Sequence, residues 1–257
     1  MADNYDDFKK AVLRLTGIDL NAYKENQMKR RIDSLITRNR ISGYSEYVSL
    51  IRLDKAKLDE FVGYITINVS EFWRNAEQWT VLENKILPMI LKNDGIRVWS
   101  AACSTGDEPY SLVMLLADHL PLSKIKVTAT DIDKQVLIKA KAGIYAEKSL
   151  KGLPAKYRNK YFVRKNESSF EIAEEVKRCV TFREHDLLSS VYPSCFDLIL
   201  CRNVLIYFTD EAKNSVFRRF SKSLNDGGIL FLGSTEQILY PKDVGFVPIS
   251  SFFYKKL

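Results

Sequence analysis

The chain has 257 residues, 46% of them hydrophobic, so it is long enough for one large domain or two modest ones with a filled core. No apolar run reaches the roughly 18 to 20 residues needed to cross a bilayer. The acidic first residues are unlike the basic start of a secretory signal. Composition therefore argues against a disordered, membrane-spanning or secreted protein and predicts a cytoplasmic one.

The cysteines and histidines form no metal or disulfide pattern. The four cysteines contain no CxxC pair, and the two histidines, His119 and His185, lie far apart in the sequence. A disulfide framework or a zinc site has characteristic spacings that are missing here. We therefore expect no metal.

The net charge of +7 favours an anionic partner, and nucleic acid, lipid headgroups and acidic protein surfaces all qualify. The charge is concentrated near the front, where residues 21–40 contain six basic and two acidic side chains. The six basic residues are Lys24, Lys29, Arg30, Arg31, Arg38 and Arg40.

Apolar residues recur at helical spacing over residues 5–65 and predict four short helices. Breaks are expected at Gly17 and at Ser42-Gly43, where a glycine ends one helix and a serine caps the next. We assign residues 1–76 to a helical N-terminal domain.

The pattern changes after Trp79 to alternating helices and strands. A strand over 96–101, a small-residue loop and a helix through Ala117 have the order that opens a nucleotide-binding α/β unit. The other elements are helices at 77–92, 133–142 and 209–224, a turn at 93–95, and strands at 126–130, 180–183, 196–201 and 228–233. This alternation predicts a mostly parallel sheet covered by helices on both faces over 77–257.

One segment does not fit the alternation. Residues 161–170 and 176–182 are typical of short strands or a small hairpin. We predict a small β excursion at about 158–184.

The strongest local signal is the loop VWSAACSTGDEPY at residues 98–110, whose small residues let the backbone approach a ligand closely. A dinucleotide site would need GxGxxG, whereas this loop has only Gly106, followed by Asp107 and Glu108. Carboxylates repel phosphates and suit a cation instead. The sulfonium and amino groups of S-adenosylmethionine make it such a ligand.

Asp131 stands at the end of the second predicted strand, 25 residues after Gly106. Nucleotide-binding folds place at about this spacing an acid that accepts hydrogen bonds from the ribose hydroxyls. The alternative is an N-cap for the helix that starts near Asp133.

Polar and aromatic residues are also concentrated in TINVSEFWR at 66–74 and CRNVLIYF at 201–208. The second stretch follows an apolar strand, so its polar residues should lie at the carboxyl edge of the sheet, where open α/β folds bind ligands. Structural roles are the alternative, with Arg74 as a surface arginine, Asn68 as a turn residue and Tyr207 as a core aromatic.

These segments together resemble the CheR-type chemotaxis receptor methyltransferases. TINVSEFWR is similar to that family's TNxTxFFR segment, VWSAACSTGDEPYS to its glycine loop, ATDID to its ribose-binding strand end and LCRNVLIYF to its late strand. Order and spacing agree over nearly the whole chain. The resemblance implies a Rossmann-like S-adenosylmethionine-dependent methyltransferase domain with a small β subdomain insertion, preceded by an all-α N-terminal domain.

The resemblance also implies a set of cofactor contacts. Ser70 stands where the family usually has Thr and keeps the hydroxyl, whereas Asp186 stands where relatives often have Asn. With the loop residues Ala101 and Gly106 included, the predicted cofactor-binding residues are Asn68, Ser70, Arg74, Ala101, Gly106, Glu108, Asp131, Asp186, Leu187, Arg202 and Asn203.

The family's substrate is a glutamate on the cytoplasmic helices of chemoreceptors, and its products are a γ-glutamyl methyl ester and S-adenosylhomocysteine. A glutamate with a pKa of about 4.3 is already ionised at neutral pH, so it needs no general base. The sequence offers no Ser-His-Asp or Cys-His set, which agrees with this reaction. Arg74 and Tyr207 are the candidates for steering the carboxylate.

Because receptor methylation helices in this family are acidic, the basic stretch from Lys24 to Arg40 is a candidate docking surface. The alternative is a solvated helix face. Residues 163–179 contain no glycine and are shorter than the loop with which some relatives hold a receptor's C-terminal peptide, so we expect no such tether. We expect a monomer that associates transiently with membrane-bound receptor arrays.

Two rival functions stay open on the sequence. A nucleic-acid methyltransferase would share the fold and explain the charge, but its Asn-Pro-Pro-Tyr and Pro-Cys motifs are missing. A non-catalytic signalling protein that binds S-adenosylmethionine is the other.

Overall fold

The computed structural model describes residues 4–91 and 94–257, which form two compact units. The first unit runs through Asn68 and also includes Leu205–Ser215, and the second comprises Val69–Val204 and Val216–Leu257. The sequence placed the division between residues 76 and 77. The structure places it earlier because Phe72 already packs edge-on against Tyr145 and Phe162 of the second unit.

The first unit contains the four predicted helices. Gly17 ends the first of them as predicted, in the left-handed conformation at φ 76°. Ser42 does not cap the third, because its hydroxyl donates to the Glu46 carboxylate at 2.6 Å and Gly43 occupies the N-cap. The helices are α1 (Tyr5–Thr16), α2 (Glu25–Arg38), α3 (Tyr44–Leu53) and α4 (Lys55–Ile65).

An aromatic cluster holds these helices together. The ring of Phe61 on α4 meets Phe8 of α1 and Tyr47 of α3 edge-on, and all three side chains are buried. Burying each such ring contributes roughly 1.5 to 3 kcal/mol relative to leaving it in water. The amphipathic spacing of the sequence therefore produces a core of its own.

The second unit is built on a seven-stranded sheet in the order β6-β2-β1-β7-β8-β10-β9. The first five strands of that order are parallel, and β10 pairs antiparallel with both β8 and β9. The predicted mostly parallel sheet is thus confirmed. Its strands are β1 (Ile96–Ala101), β2 (Ile125–Asp131), β6 (Val180–Glu184), β7 (Phe196–Cys201), β8 (Leu224–Leu232), β9 (Phe246–Ser250) and β10 (Phe253–Lys256).

A smaller antiparallel sheet in the order β3-β5-β4 confirms the predicted β excursion. Its strands are β3 (Ile144–Ala146), β4 (Phe162–Arg164) and β5 (Ser169–Ile172). The inclusion of residues 176–182 in the excursion was wrong. Glu174–Lys177 form a helical turn, and β6 belongs to the main sheet, where it pairs with β2.

The remaining helices surround these sheets. The helix predicted over 77–92 is present, and it passes through a π-helical turn at Leu82–Ile86. Residue 92 of that prediction and residue 93 of the predicted turn lie outside the described residues. None of the described helices is both long and apolar enough to cross a membrane. They are α5 (Ala76–Val81), α6 (Leu87–Ile90), α7 (Asp107–Leu116), α8 (Lys134–Ala142), α9 (Ala155–Tyr161), α10 (Glu174–Lys177) and α11 (Asp210–Ser223).

The connection from β6 to β7 contains no helix, so the alternation of strands and helices is interrupted here. Its residues His185 and Tyr192 instead pack edge-on against the fully buried ring of Trp99 on β1. The backbone N–H of His185 also donates to the Asp131 carbonyl at 3.0 Å. A buried aromatic cluster thereby holds this connection beside the end of β2.

Because His185 is buried in this cluster, the protein should lose stability on acidification. Burial lowers the pKa of the imidazole, against the weaker opposing effects of the Val191 backbone and the Asp186 carboxylate. The stability of the neutral form is present above the unfolded pKa of about 6.5 and is lost as the pH falls through the lower folded pKa. One such group changes the free energy of unfolding by at most about 1.4 kcal/mol per pH unit.

The free energy of unfolding, measured with urea, should therefore fall less between about pH 7.5 and about pH 5.5 in His185→Phe than in the parent chain. His119→Gln removes the other histidine, which lies outside the cluster, and serves as the control. A loss in His185→Phe equal to that of the parent would contradict the assignment.

Candidate functional site

The carboxyl ends of β1, β2 and β7 are neighbours in the sheet, and a loop follows each of them. After β1 the chain turns through Gly106, which has φ 89° and immediately precedes α7. A Cβ at this position would lie 3.0 Å from the Ala140 Cβ and 3.1 Å from the Tyr145 hydroxyl. Glycine is therefore required both by the backbone conformation and by the space.

A pocket opens at this edge of the sheet. Five of the residues predicted from the sequence line it, although they lie as much as 133 positions apart: Ser70, Arg74, Glu108, Arg202 and Asn203. The other lining residues are Val69, Glu71, Ala102, Cys103 and Ser104. Glu71 was not predicted from the sequence as a site residue, whereas Ser104 belongs to the predicted glycine loop.

A buried ion pair spans the base of this pocket. A guanidinium nitrogen of Arg202 lies 3.2 Å from Glu108 Oε2, and the two side chains are 2% and 14% exposed. The Ser100 hydroxyl donates to the other oxygen of Glu108 at 2.8 Å. Glu108 is thus fixed in one orientation, as a carboxylate in a low-dielectric setting needs to be.

Arg202 also fixes the turn that precedes α5. Its second guanidinium nitrogen donates to the Arg74 carbonyl at 2.8 Å, to Asn75 Oδ1 at 3.2 Å and to Gln78 Oε1 at 3.0 Å. These donors are therefore engaged with protein acceptors. Arg202 shapes the pocket wall, a role that the sequence pattern did not reveal.

Asp131 lies at the end of β2 and is almost fully buried. Its carboxylate accepts the backbone N–H groups of Ser104 at 2.8 Å and of Asp133 at 3.0 Å, and burial raises its pKa. The alternative role as the N-cap of α8 is wrong, because Asp133 is the cap and accepts the Gln135 N–H at 2.8 Å.

The two acidic residues after Gly106 have different surroundings. Glu108 lines the pocket, whereas Asp107 is buried and accepts a hydrogen bond of 2.5 Å from the Thr105 hydroxyl. Burial raises the pKa of Asp107. Of the two carboxylates that follow Gly106, only Glu108 therefore lines the pocket, since the first turn of α7 places Asp107 inside the protein.

Six of the eleven predicted cofactor residues lie outside the pocket lining, and besides Asn68, Gly106 and Asp131 these are Ala101, Asp186 and Leu187. Ala101 is the buried last residue of β1. The carboxylate of Asp186 accepts the Leu188 N–H at 2.8 Å and the Ser189 hydroxyl at 2.7 Å, and Leu187 is buried. Their proposed cofactor contacts stay predictions.

Two predicted residues belong to the first unit. The Asn68 amide donates to the Thr66 hydroxyl at 3.0 Å. Tyr207 ends a 3-10 turn, is half-buried, and its carbonyl accepts the Lys24 N–H at 2.8 Å.

The six basic residues of the candidate docking surface divide into two groups. Three have partners within the first unit, since Lys29 pairs with Asp33, Arg38 pairs with Glu60 and Arg31 donates to the Tyr64 carbonyl. The other three are all exposed, Lys24 and Arg40 at the two ends of α2 and Arg30 on the helix itself, and Arg38 is exposed as well despite its ion pair.

The chain matches two family models. The model described as the CheR methyltransferase all-alpha domain matches residues 3–66, and the model described as the CheR methyltransferase SAM binding domain matches residues 68–252.

Curated relatives are similar over almost the whole length. The chain is 43% identical to a chemotaxis protein methyltransferase of Listeria monocytogenes over 97% of this chain and 95% of that protein. It is 31% identical to a chemotaxis protein methyltransferase of Borreliella burgdorferi over 96% of this chain and 92% of that one. A solved TehB-like SAM-dependent methyltransferase from Corynebacterium glutamicum has 14% identity and a TM-score of 0.41, over 70% of this chain and 93% of that one.

Proposed function

We propose, on the premise that this chain belongs to the CheR methyltransferase family, that it methylates glutamate side chains of chemoreceptors. The methyl donor is S-adenosylmethionine and the product is a γ-glutamyl methyl ester. Family membership confirms the resemblance predicted from the sequence. The chain is an S-adenosylmethionine-dependent methyltransferase, and the choice of the glutamate carboxyl group is the further step that we propose.

The oriented carboxylate of Glu108, in a pocket that also contains hydroxyl groups, most directly supports the binding of S-adenosylmethionine there. Ser70 and Ser104 line the pocket with Glu108, so polar acceptors surround the space at the edge of the sheet. These groups fit the positively charged end of S-adenosylmethionine, whereas they would repel a pyrophosphate. Asp131 lies next to this pocket through its bond to the Ser104 backbone. We propose Glu108 and Asp131 as the contacts to the amino-acid and ribose parts.

The same pocket supports a reaction that needs no general base. When bound, S-adenosylmethionine supplies an electrophilic methyl carbon on a sulfonium. An ionised glutamate oxygen forms a bond to that carbon as the carbon–sulfur bond breaks. The electron pair of the broken bond stays on sulfur, which leaves S-adenosylhomocysteine. No proton moves, so alignment and exclusion of water are what the protein contributes.

Cys103 also lines the pocket and carries a thiol, a potential nucleophile. Burial, together with the charges of Asp131 and Glu108, raises the pKa of its thiol well above the ordinary value. A thiol held protonated is a poor nucleophile. Cys103 therefore does not compete with the glutamate for the methyl group.

A methyl-ester assay tests the acceptor. The chain is incubated with receptor-rich membranes and S-adenosylmethionine labelled in the methyl group, and the washed product is treated with alkali. Hydrolysis of esters releases volatile methanol, so the label should become volatile. Label that stays on protein after alkali would indicate N- or C-methylation, and label on nucleic acid would support the rival methyltransferase.

We propose Arg74 and Tyr207 as the groups that steer the incoming carboxylate, by a charge-assisted and a hydroxyl hydrogen bond. Tyr207→Phe removes one hydroxyl and should lower kcat with receptor membranes about tenfold or more, while the KM for S-adenosylmethionine stays within about twofold. The control is Tyr240→Phe, because Tyr240 is largely exposed. An unchanged kcat in Tyr207→Phe would remove this residue from the mechanism.

We further propose that α2 docks the acidic receptor helices and so brings the enzyme transiently to receptor arrays. Lys24, Arg30 and Arg40 carry the proposal because they are exposed, whereas the other three basic residues are engaged within the first unit. The β4 to β5 connection is closed by a hydrogen bond of 2.9 Å from the Lys165 N–H to the Ser169 carbonyl. Such a tight turn supports the proposal that this chain uses no peptide tether there.

Arg30→Glu should raise the KM for receptor membranes about threefold to tenfold at low salt and leave the KM for S-adenosylmethionine unchanged. Raising salt from about 50 to about 300 mM should raise the parent's KM for receptor membranes, because screening lengths fall well below 10 Å. The KM values of the parent and of Arg30→Glu should then lie closer together. Arg178→Glu makes the same charge change at an exposed arginine beside α10 and serves as the control. Equal effects of the two changes would favour a merely solvated helix face.

A further inference from the structure

We infer that Glu236 is a positioning residue of the cofactor pocket, whose buried carboxylate fixes the backbone at Asn203 in the pocket wall. The inference rests on the cofactor-binding part of the proposed function and is independent of which group accepts the methyl.

The place where the carboxylate acts is the point at which two neighbouring strands stop pairing. β7 and β8 run parallel, and their last paired residues are Cys201 and Leu232. The backbone continues past both residues into loops, and one of these loops carries Arg202 and Asn203 into the pocket. Without further hydrogen bonds the N–H groups of these loops would be left without acceptors inside the protein.

Glu236 supplies those acceptors. One oxygen of its carboxylate accepts the N–H of Asn203 at 2.7 Å and that of Gly233 at 2.9 Å. The other oxygen accepts the N–H of Val204 at 2.9 Å. The side chain therefore joins the loop after β7 to the loop after β8, directly beyond the strand ends.

Only a carboxylate meets this arrangement. Three N–H donors converge on two oxygens, and Glu236 is 4% exposed, so solvent has little access to compensate. A glutamine has the same shape but one oxygen and one NH₂ group, and the NH₂ group would face at least one N–H. Buried donors that face each other destabilise the arrangement.

The glycine at 233 gives a second, independent sign of this contact. A Cβ built there would lie 2.6 Å from Glu236 Oε2 and 2.9 Å from the Asn203 backbone nitrogen. Any side chain at this position would push the carboxylate and the loop apart. Gly233 is thus the residue that lets the two loops come close enough to share Glu236.

The contact affects the pocket through two consecutive residues, Arg202 and Asn203. Asn203 is in the left-handed region at φ 62°, a conformation that needs support from its surroundings. Arg202, the residue before it, is the partner of Glu108. A shift of this peptide would displace two of the side chains that line the pocket, and displacements of about 1 Å are enough to impair a binding site.

The test is cofactor-product affinity in the full-length chain. Titration calorimetry with S-adenosylhomocysteine should give a dissociation constant about tenfold or more higher for Glu236→Gln than for the parent. Gly233→Ala, which disturbs the same contact from another position in the loop after β8, should also weaken binding. Both variants are first checked for a parent-like circular dichroism spectrum.

The matched control is Asp197→Asn, the same isosteric change at the other end of β7. The Asp197 carboxylate accepts the Arg97 backbone N–H and the Asn225 amide, both at 2.9 Å. Asp197→Asn should therefore lower stability but leave the affinity for S-adenosylhomocysteine within about twofold of the parent. Parent-like affinity in folded Glu236→Gln, or an equal loss in Asp197→Asn, would overturn the inference. Because the readout is product binding, the result is decided even if receptor glutamates prove not to be the methyl acceptor.

Discussion

The pocket depends on the buried pair of Arg202 and Glu108. Arg202 comes after β7, Glu108 comes from the first turn of α7, and the same guanidinium holds the turn that precedes α5. Removing either charge would leave the other largely buried without a counter-charge, which typically costs about 3 to 5 kcal/mol. The pair therefore fixes the pocket by making any other arrangement of these three segments unfavourable.

Much of the fold follows from the sequence because its pattern is strong. The helices of the first unit have sustained amphipathic spacing, and the core strands of the sheet are mostly apolar, with one charged residue each near the start. The strands β9 and β10 escaped prediction since they are short and include Pro248 and two lysines. β10 forms because β8, more than 20 residues earlier in the chain, offers it an edge to pair with, and β9 in turn pairs with β10.

The candidate site was predictable in its location and less so in its contacts. Residues that follow parallel strands must gather at one edge of the sheet, so Arg202 and Asn203 were expected near the glycine loop. Periodicity does not say which of two adjacent acids lines the pocket, and here Glu108 does while Asp107 is buried. Nor does it reveal that Arg202 would pair with a residue 94 positions earlier, because that depends on packing in space.

Backbone strain is concentrated at the same place. Of the nine described non-glycine residues with positive φ, five lie in the segments that form the pocket: Trp73, Asn75, Ala102, Ser104 and Asn203. Each such residue costs of order 1 kcal/mol, and the surrounding structure must offset that cost. Asp131 accepts the Ser104 N–H, Arg202 binds the Asn75 side chain, and Glu236 accepts the Asn203 N–H. Buried charges thus hold three strained turns around one space, which suits the proposed methyl transfer because that reaction depends on accurate alignment.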